Sequence, residues 1–175
     1  RSIGIFKDVA IKQSPGSQPH RVNLDVNVTE QSTGELSLGA GYSSTSSLVG
    51  EFSYTERNLF GRGQYMRASV SVSQISKQYQ FSFTEPYFLD RPLAAGFDLY
   101  RVDTAYQQAA YRADVTGAQI RFGFPTSEYG TVALRYSYKI EDISPYINAP
   151  FEILLAAGST TTSGIGYTFS YNTLD

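Results

Sequence analysis

Thr131-Val132-Ala133-Leu134-Arg135-Tyr136-Ser137-Tyr138-Lys139-Ile140 alternates polar or small residues with large apolar ones along its whole length. A period of two puts Val132, Leu134, Tyr136, Tyr138 and Ile140 on one face of an extended strand, and Thr131, Ala133, Arg135, Ser137 and Lys139 on the other. One face suits hydrocarbon and the other suits water. The pattern recurs from Gly34 to Leu174 in segments of roughly ten residues with almost no helix signal, which is how a transmembrane β-barrel reads.

Working outward from this segment, the alternation predicts an all-β chain, an antiparallel meander of eight transmembrane strands. They are expected at 35–43, 48–57, 64–74, 78–86, 93–103, 112–124, 130–141 and 160–172. The apolar face carries Phe52 and Tyr54, then Met66, Ala68, Val70 and Val72, then Tyr79, Phe81 and Phe83. It continues with Leu93, Ala95, Phe97 and Leu99, with Ala118, Ile120, Phe122 and Phe124, and with Ile165, Tyr167, Phe169 and Tyr171. Glu51, Asp98, Gln119, Arg121, Arg135 and Lys139 fall on the opposite face, as they must, since a Lys or Arg at the lipid midplane costs about 2–4 kcal/mol. A soluble sandwich would offer a solvent face rich in Lys and Glu; here that face is mostly Ser, Thr, Gly and Gln.

Composition agrees. The 175 residues carry a net charge of -2, too weak a field to recruit nucleic acid. Cysteine is absent, which excludes disulfides and thiolate chemistry. Aromatics make up 14% of the chain, all Tyr and Phe, so an interfacial girdle is built from these alone. No apolar run approaches the roughly 18–20 residues of a spanning helix. A mean hydropathy of -0.25 is uninformative, because alternation hides the apolar half.

Residues 1–31 stand apart from 32–175. Ile5–Ile11 and Val22–Val28 alternate on either side of a turn at Ser14-Pro15-Gly16-Ser17, a hairpin expected to close a small α/β domain. In the second segment, compact connections are expected at 58–63, 86–92 and 125–130, and longer loops at 103–111 and 142–159. That asymmetry reads as short periplasmic turns and longer external loops. Tyr146, Phe151 and Leu155 in the last loop are expected to pack over the barrel mouth. The stop at Leu174-Asp175, directly after a strand pattern, points to a piece of a longer barrel.

Chemistry-bearing constellations are scarce. His20, beside Pro19, lacks nearby partners for catalysis or metal binding. Glu51, Glu56, Glu85 and Asp98 read as carboxylates that neutralise basic neighbours such as Arg121 and Arg135. Gly61-Arg62-Gly63 is a tight turn between strands, without the spacing or helix of a phosphate loop. Asn27-Val28-Thr29 matches a sequon inside a strand. The reading is a non-enzyme with no cofactor and no metal. The first barrel strand is the exception: Gly39 and Gly41 weaken its pairing, either to relieve crowding or to leave an edge that opens.

Pro15-Gly16-Ser17, Val22 to Gln31, Thr33-Gly34 and Leu38-Gly39-Ala40-Gly41-Tyr42 resemble the junction between the last POTRA domain and the barrel in the BamA family of outer-membrane protein assembly factors. Asn58-Leu59-Phe60-Gly61-Arg62-Gly63, Thr84-Glu85-Pro86-Tyr87-Phe88, Gly123-Phe124-Pro125 and Tyr167 to Asp175 extend the resemblance in order. It implies a sixteen-stranded parent whose first half is 32–175 and whose last POTRA hairpin is 1–31. The family's Val-Arg-Gly-Phe motif is not found here. It also implies a seam strand, Glu35, Leu36, Ser37, Leu38, Gly39, Ala40, Gly41 and Tyr42, that accepts incoming strands by β-augmentation without nucleotide hydrolysis. Implied partners are nascent outer-membrane β-barrel proteins, the lipid bilayer and, through POTRA domains, the lipoproteins of the BAM complex. A related translocation or secretion transporter and a passive pore are the alternatives. Edges left unpaired at Glu35–Ser43 and Thr160–Asn172 predict self-association, or closure into a small barrel of eight strands.

Overall fold

The computed structural model of the protein describes residues 6–15 and 21–172. The chain divides into two compact units, Arg1–Gly34 and Glu35–Asp175.

In the first unit, β1 (Phe6–Pro15) pairs antiparallel with β2 (Val22–Glu30). Val9, Ile11 and Gln13 stand opposite Val28, Val26 and Leu24, so the branched residues share one face. The turn starts later than the sequence predicts, because Ser14 and Pro15 still pair with Asn23 and Val22. Residues 16–20, with His20, lie outside the described residues. Ile11, Leu24, Val26 and Val28 are exposed, and a two-stranded ribbon of this kind is marginal on its own.

The second unit is one eight-stranded sheet. Its strands are β3 (Gly34–Ser43), β4 (Ser47–Leu59), β5 (Gln64–Ser73), β6 (Ser76–Glu85), β7 (Ala94–Tyr106), β8 (Tyr111–Pro125), β9 (Gly130–Pro145) and β10 (Gly158–Tyr171). Spatial order follows chain order from β3 to β10. The sheet is open, with β3 and β10 as its edges, so the expected closure of these eight strands on themselves does not occur.

Register explains the alternation. Phe52, Val70, Tyr79, Arg101, Thr116 and Ile140 form one rung; Tyr54, Ala68, Phe81, Leu99, Ala118 and Tyr138 form the next on the same face. Phe97, Ile120, Tyr136 and Ile165 follow, then Phe122, Leu134 and Tyr167. On β8 the apolar run from Thr116 to Phe124 covers about 27 Å at ~3.3 Å per residue, or about 20 Å of membrane at a tilt near 40°. Beyond Thr116 the same face turns charged, as Lys77, Asp103, Asp114 and Asp142 form the next rung. From β5 to β10 the ladders run without a register shift; between β4 and β5 there is one, between Glu56 and Leu59.

Burial is inverted relative to a water-soluble sheet. Among the described residues, the buried polar side chains are Ser53, Thr55 and Ser82, all on the polar face, whereas Leu99, midway along the apolar face, is 48% exposed. A face of Phe, Tyr, Leu and Ile left open over this height is stable against hydrocarbon, not water.

The connections correct two expectations. Strands β7, β8 and β9 run past their predicted ends, which reduces the loop expected at 103–111 to 107–110. At the end of the sheet opposite the start of β3 the links are thus 44–46, 74–75, 107–110 and 146–157, so only the last is long, and loop length alone does not orient the sheet. That last link contains a helix, α1 (Phe151–Leu155), too short to give a periodic signal in the sequence. Tyr146, Phe151 and Leu155, expected over the barrel mouth, are exposed on this open sheet, Phe151 by 71%. The Gly61-Arg62-Gly63 turn is as expected, with Phe60, Gly61 and Gly63 all at positive φ and Asn58 Oδ1 accepting from the Gly63 N–H at 2.6 Å.

Candidate functional site

The eight residues from Glu35 to Tyr42 lie together on β3, at the edge of the sheet. All are exposed, Leu38 by 78% and Tyr42 by 82%. With β4 on one side only, the strand presents backbone N–H and C=O groups along its free side. Its side-chain ties lie at its ends. Arg57 Nη2 is 3.2 Å from Glu35 Oε2, and the Thr45 and Ser46 N–H groups donate to Ser43 Oγ at 3.2 and 3.3 Å. Among the described residues, no side-chain hydrogen bond or ion pair fixes the stretch between Leu36 and Tyr42.

Within this chain nothing crowds the two glycines of β3. A Cβ at Gly41 meets nothing within 4 Å, and one at Gly39 meets Glu51 Cβ at 3.7 Å, an ordinary contact. Neither has positive φ. What glycine does at these positions is raise the backbone's freedom and forgo packing.

The polar face behind this edge is built differently. Arg121 grips Asp98 side-on, Nε to Oδ2 at 2.7 Å and Nη2 to Oδ1 at 3.1 Å, and Nη2 also reaches Thr84 Oγ1 at 3.2 Å. Gln119 donates to Asp98 Oδ2 at 3.2 Å. Neutralisation by the acidic residues therefore holds for Asp98 and Arg121. It does not extend to Arg135, which stands opposite Arg121 in register and donates to Thr168 Oγ1 at 3.4 Å. Glu56 accepts from the Asn58 N–H at 2.9 Å, and Glu85 from the Tyr87 N–H at 3.1 Å, both closing turns. Asp98→Asn removes the only carboxylate that pairs with Arg121 among the described residues, beside a second arginine. It is expected to destabilise the folded chain by about 1 kcal/mol, checked by urea unfolding in detergent.

Three long side chains lie flat across glycines of the neighbouring strand. Tyr100 covers Gly117, Arg121 covers Gly96 and Arg135 covers Gly166, so a Cβ at any of these glycines would collide with them. The sequence gives no hint of these pairs, because each depends on register.

The Omp85 superfamily domain matches residues 58–175, two thirds of the chain. The chain belongs to the Omp85 superfamily. Its relatives include the outer membrane protein assembly factor BamA of Neisseria meningitidis serogroup B, 31% identical over 156 residues, covering 85% of this chain and 19% of that protein. BamA of Nitratidesulfovibrio vulgaris is 33% identical over 141 residues, covering 79% and 18%. The chain thus spans about a fifth of the length of these curated relatives. In fold, it is similar to the crystal structure of BamA from Haemophilus ducreyi lacking POTRA domains 1-3, with a TM-score of 0.69 at 21% identity over 99% of this chain and 36% of that one. The apolar face of this Omp85 sheet is accordingly the lipid-facing wall of an outer-membrane barrel.

Proposed function

We propose that this chain is the amino-terminal part of the barrel of an outer-membrane protein assembly factor, with β3 as the seam at which client strands enter. The observation that carries the reading is β3 itself, an exposed edge strand tied at its ends and bearing two glycines that nothing else in this chain crowds. In hydrocarbon an unpaired backbone group costs several kcal/mol, so a client's terminal strand gains by pairing with this edge and then adding its next strand in turn. The client's own folding supplies the free energy. No bond is made or broken, and no nucleotide or cofactor is required.

The hairpin of β1 and β2 belongs, in this reading, to residues 1–31 of a POTRA domain in the periplasm. The exposed apolar stripe of Ile11, Leu24, Val26 and Val28 supports it, because such a stripe requires a cover that the hairpin alone does not provide. Partners follow: nascent β-barrel proteins at the seam, lipid at the wall, and the assembly complex's lipoproteins through the POTRA side. A secretion pore is instead expected to conduct ions steadily and to bind a soluble client.

The test is site-specific photocrosslinking from Ser37 in the intact protein, in cells making outer-membrane proteins. Crosslinks to the terminal strands of barrel precursors are expected. Crosslinks confined to the protein's own last strand while precursors accumulate would reject the seam. The isolated chain, with both edges open, is expected to sediment in detergent as self-associated species, and an open monomer would contradict that.

A further inference from the structure

We infer that Arg121 and Arg135 form a docking site on the lumen side of the wall for one carboxylate side chain, carried by a segment of the same polypeptide outside residues 1–175. The two arginines stand directly opposite each other in register on the polar face, where like charges repel. They turn apart. Arg121 lies across Gly96 towards β7, and Arg135 lies across Gly166 towards β10, where Thr168 Oγ1 accepts from its Nη1 at 3.4 Å. The pocket they line together is about 230 Å³ and is floored by Ala94, Gly96, Gly123 and Ala133, all on the same face.

No carboxylate of this face is left to fill the pocket. Asp98 is held by Arg121 Nε at 2.7 Å, by Arg121 Nη2 at 3.1 Å and by Gln119 at 3.2 Å. Glu141, further along β9, is paired with Lys139 at 2.9 Å. Glu35 and Glu51 lie on β3 and β4, at the far edge of the sheet. β10, which flanks Arg135 on its other side, has no acidic residue from Gly158 to Tyr171. Arg135 therefore has no carboxylate partner among the described residues, and the arginine pair keeps one uncompensated positive charge. A planar guanidinium selects a planar carboxylate through paired, charge-assisted hydrogen bonds. The pocket is smaller than the roughly 300 Å³ at which small-molecule sites begin, so it suits a single side chain. An exposed arginine gains little from a free anion in water, whereas a tethered carboxylate acts at an effective concentration on the order of millimolar. The chain spans about a fifth of the length of its relatives, and a barrel's own polypeptide encloses its lumen, so a segment of that polypeptide meets the condition and a passing client does not. The inference needs only the polar side of the barrel wall and stands whether or not β3 acts as a seam.

The experiment uses the intact protein in outer-membrane vesicles, with Arg135→Lys keeping the charge and supplying an amine. A carbodiimide couples that amine to a carboxylate in contact with it, and peptide mass spectrometry reads the product. Coupling to one Asp or Glu of the same polypeptide outside residues 1–175 is expected, and coupling of Lys139 to Glu141 is the internal control for access of the reagent. Charge reversal by Arg135→Glu is then expected to lower the yield of folded protein about tenfold, and exchanging the coupled carboxylate for Lys in the same molecule to restore it. If Arg135→Lys does not fold, Ala133→Lys places an amine in the same pocket and carries the test. Coupling to Asp98, coupling to a second polypeptide, no coupling while the Lys139 control forms, or a yield that the exchange does not restore would each overturn the proposal.

Discussion

Replacing Gly39 and Gly41 together with Val slows client insertion by about fivefold to thirtyfold in the intact protein while leaving its barrel folded. Each replacement restricts a backbone that glycine leaves free and adds a side chain suited to a pleated surface, gains of roughly 0.5–1 kcal/mol per site. Two such gains sum to about 1–2 kcal/mol in favour of the resting seam, which sets the factor in rate if opening precedes client entry. The structure makes the experiment clean, because a Cβ at Gly41 meets nothing and one at Gly39 makes an ordinary contact. Time-resolved insertion of a barrel precursor into vesicles holding the variant measures it, and unchanged kinetics would remove β3 as the opening edge.

The largest expected loss of stability comes from a single methyl group at Gly96. A Cβ there falls 2.6 Å from the Phe83 carbonyl oxygen on β6, 3.0 Å from Thr84 Oγ1 and 3.2 Å from Arg121 Nη2. The first of these is backbone within a paired ladder and has nowhere to go, so Gly96→Ala is expected to cost up to about 3 kcal/mol. Gly117→Ala collides instead with the ring of Tyr100, a side chain free to swing out into the lumen, and is expected to cost less than about 1.5 kcal/mol. Gly41→Ala, in open space, should be neutral or slightly stabilising. Urea midpoints of the three variants in one detergent give the order; a Gly96 variant as stable as the Gly41 variant would show that the ladder yields where these distances say it is closed.

Most of the sheet was legible from alternation, because in a barrel wall every second residue meets lipid over the full height of a strand. Phe81, Leu99, Ala118 and Tyr138 fall on one rung and Asp98 and Gln119 on another, as parity requires. The ends of strands were less legible. Backbone pairing continues after the hydrocarbon stops, so β7 extends through Thr104, Ala105 and Tyr106 and β9 through Asp142 to Pro145, where the residues read as loop. Carrying the parity of Phe97 and Leu99 two steps further would have placed Arg101 and Asp103 on the lipid-facing side. Nothing in the sequence marks Tyr100 over Gly117 or Arg121 over Gly96, since such pairs exist only once register is fixed. The candidate strand itself, Glu35 to Tyr42, was legible as an edge from its glycines, but that those glycines sit in open space is a fact of three dimensions.

The unbroken register from β5 to β10 has a mechanical consequence. Six strands laddered without an extra residue share any bending load evenly and act as one stiff panel. A displaced residue interrupts such a panel, loosens the ladder beside it and concentrates twist. The one interruption in the ladders from β4 onward lies between Glu56 and Leu59, one strand in from the free edge. Should the wall part at β3 as proposed, this is where a narrow leaf is expected to rotate while the panel behind it holds its shape.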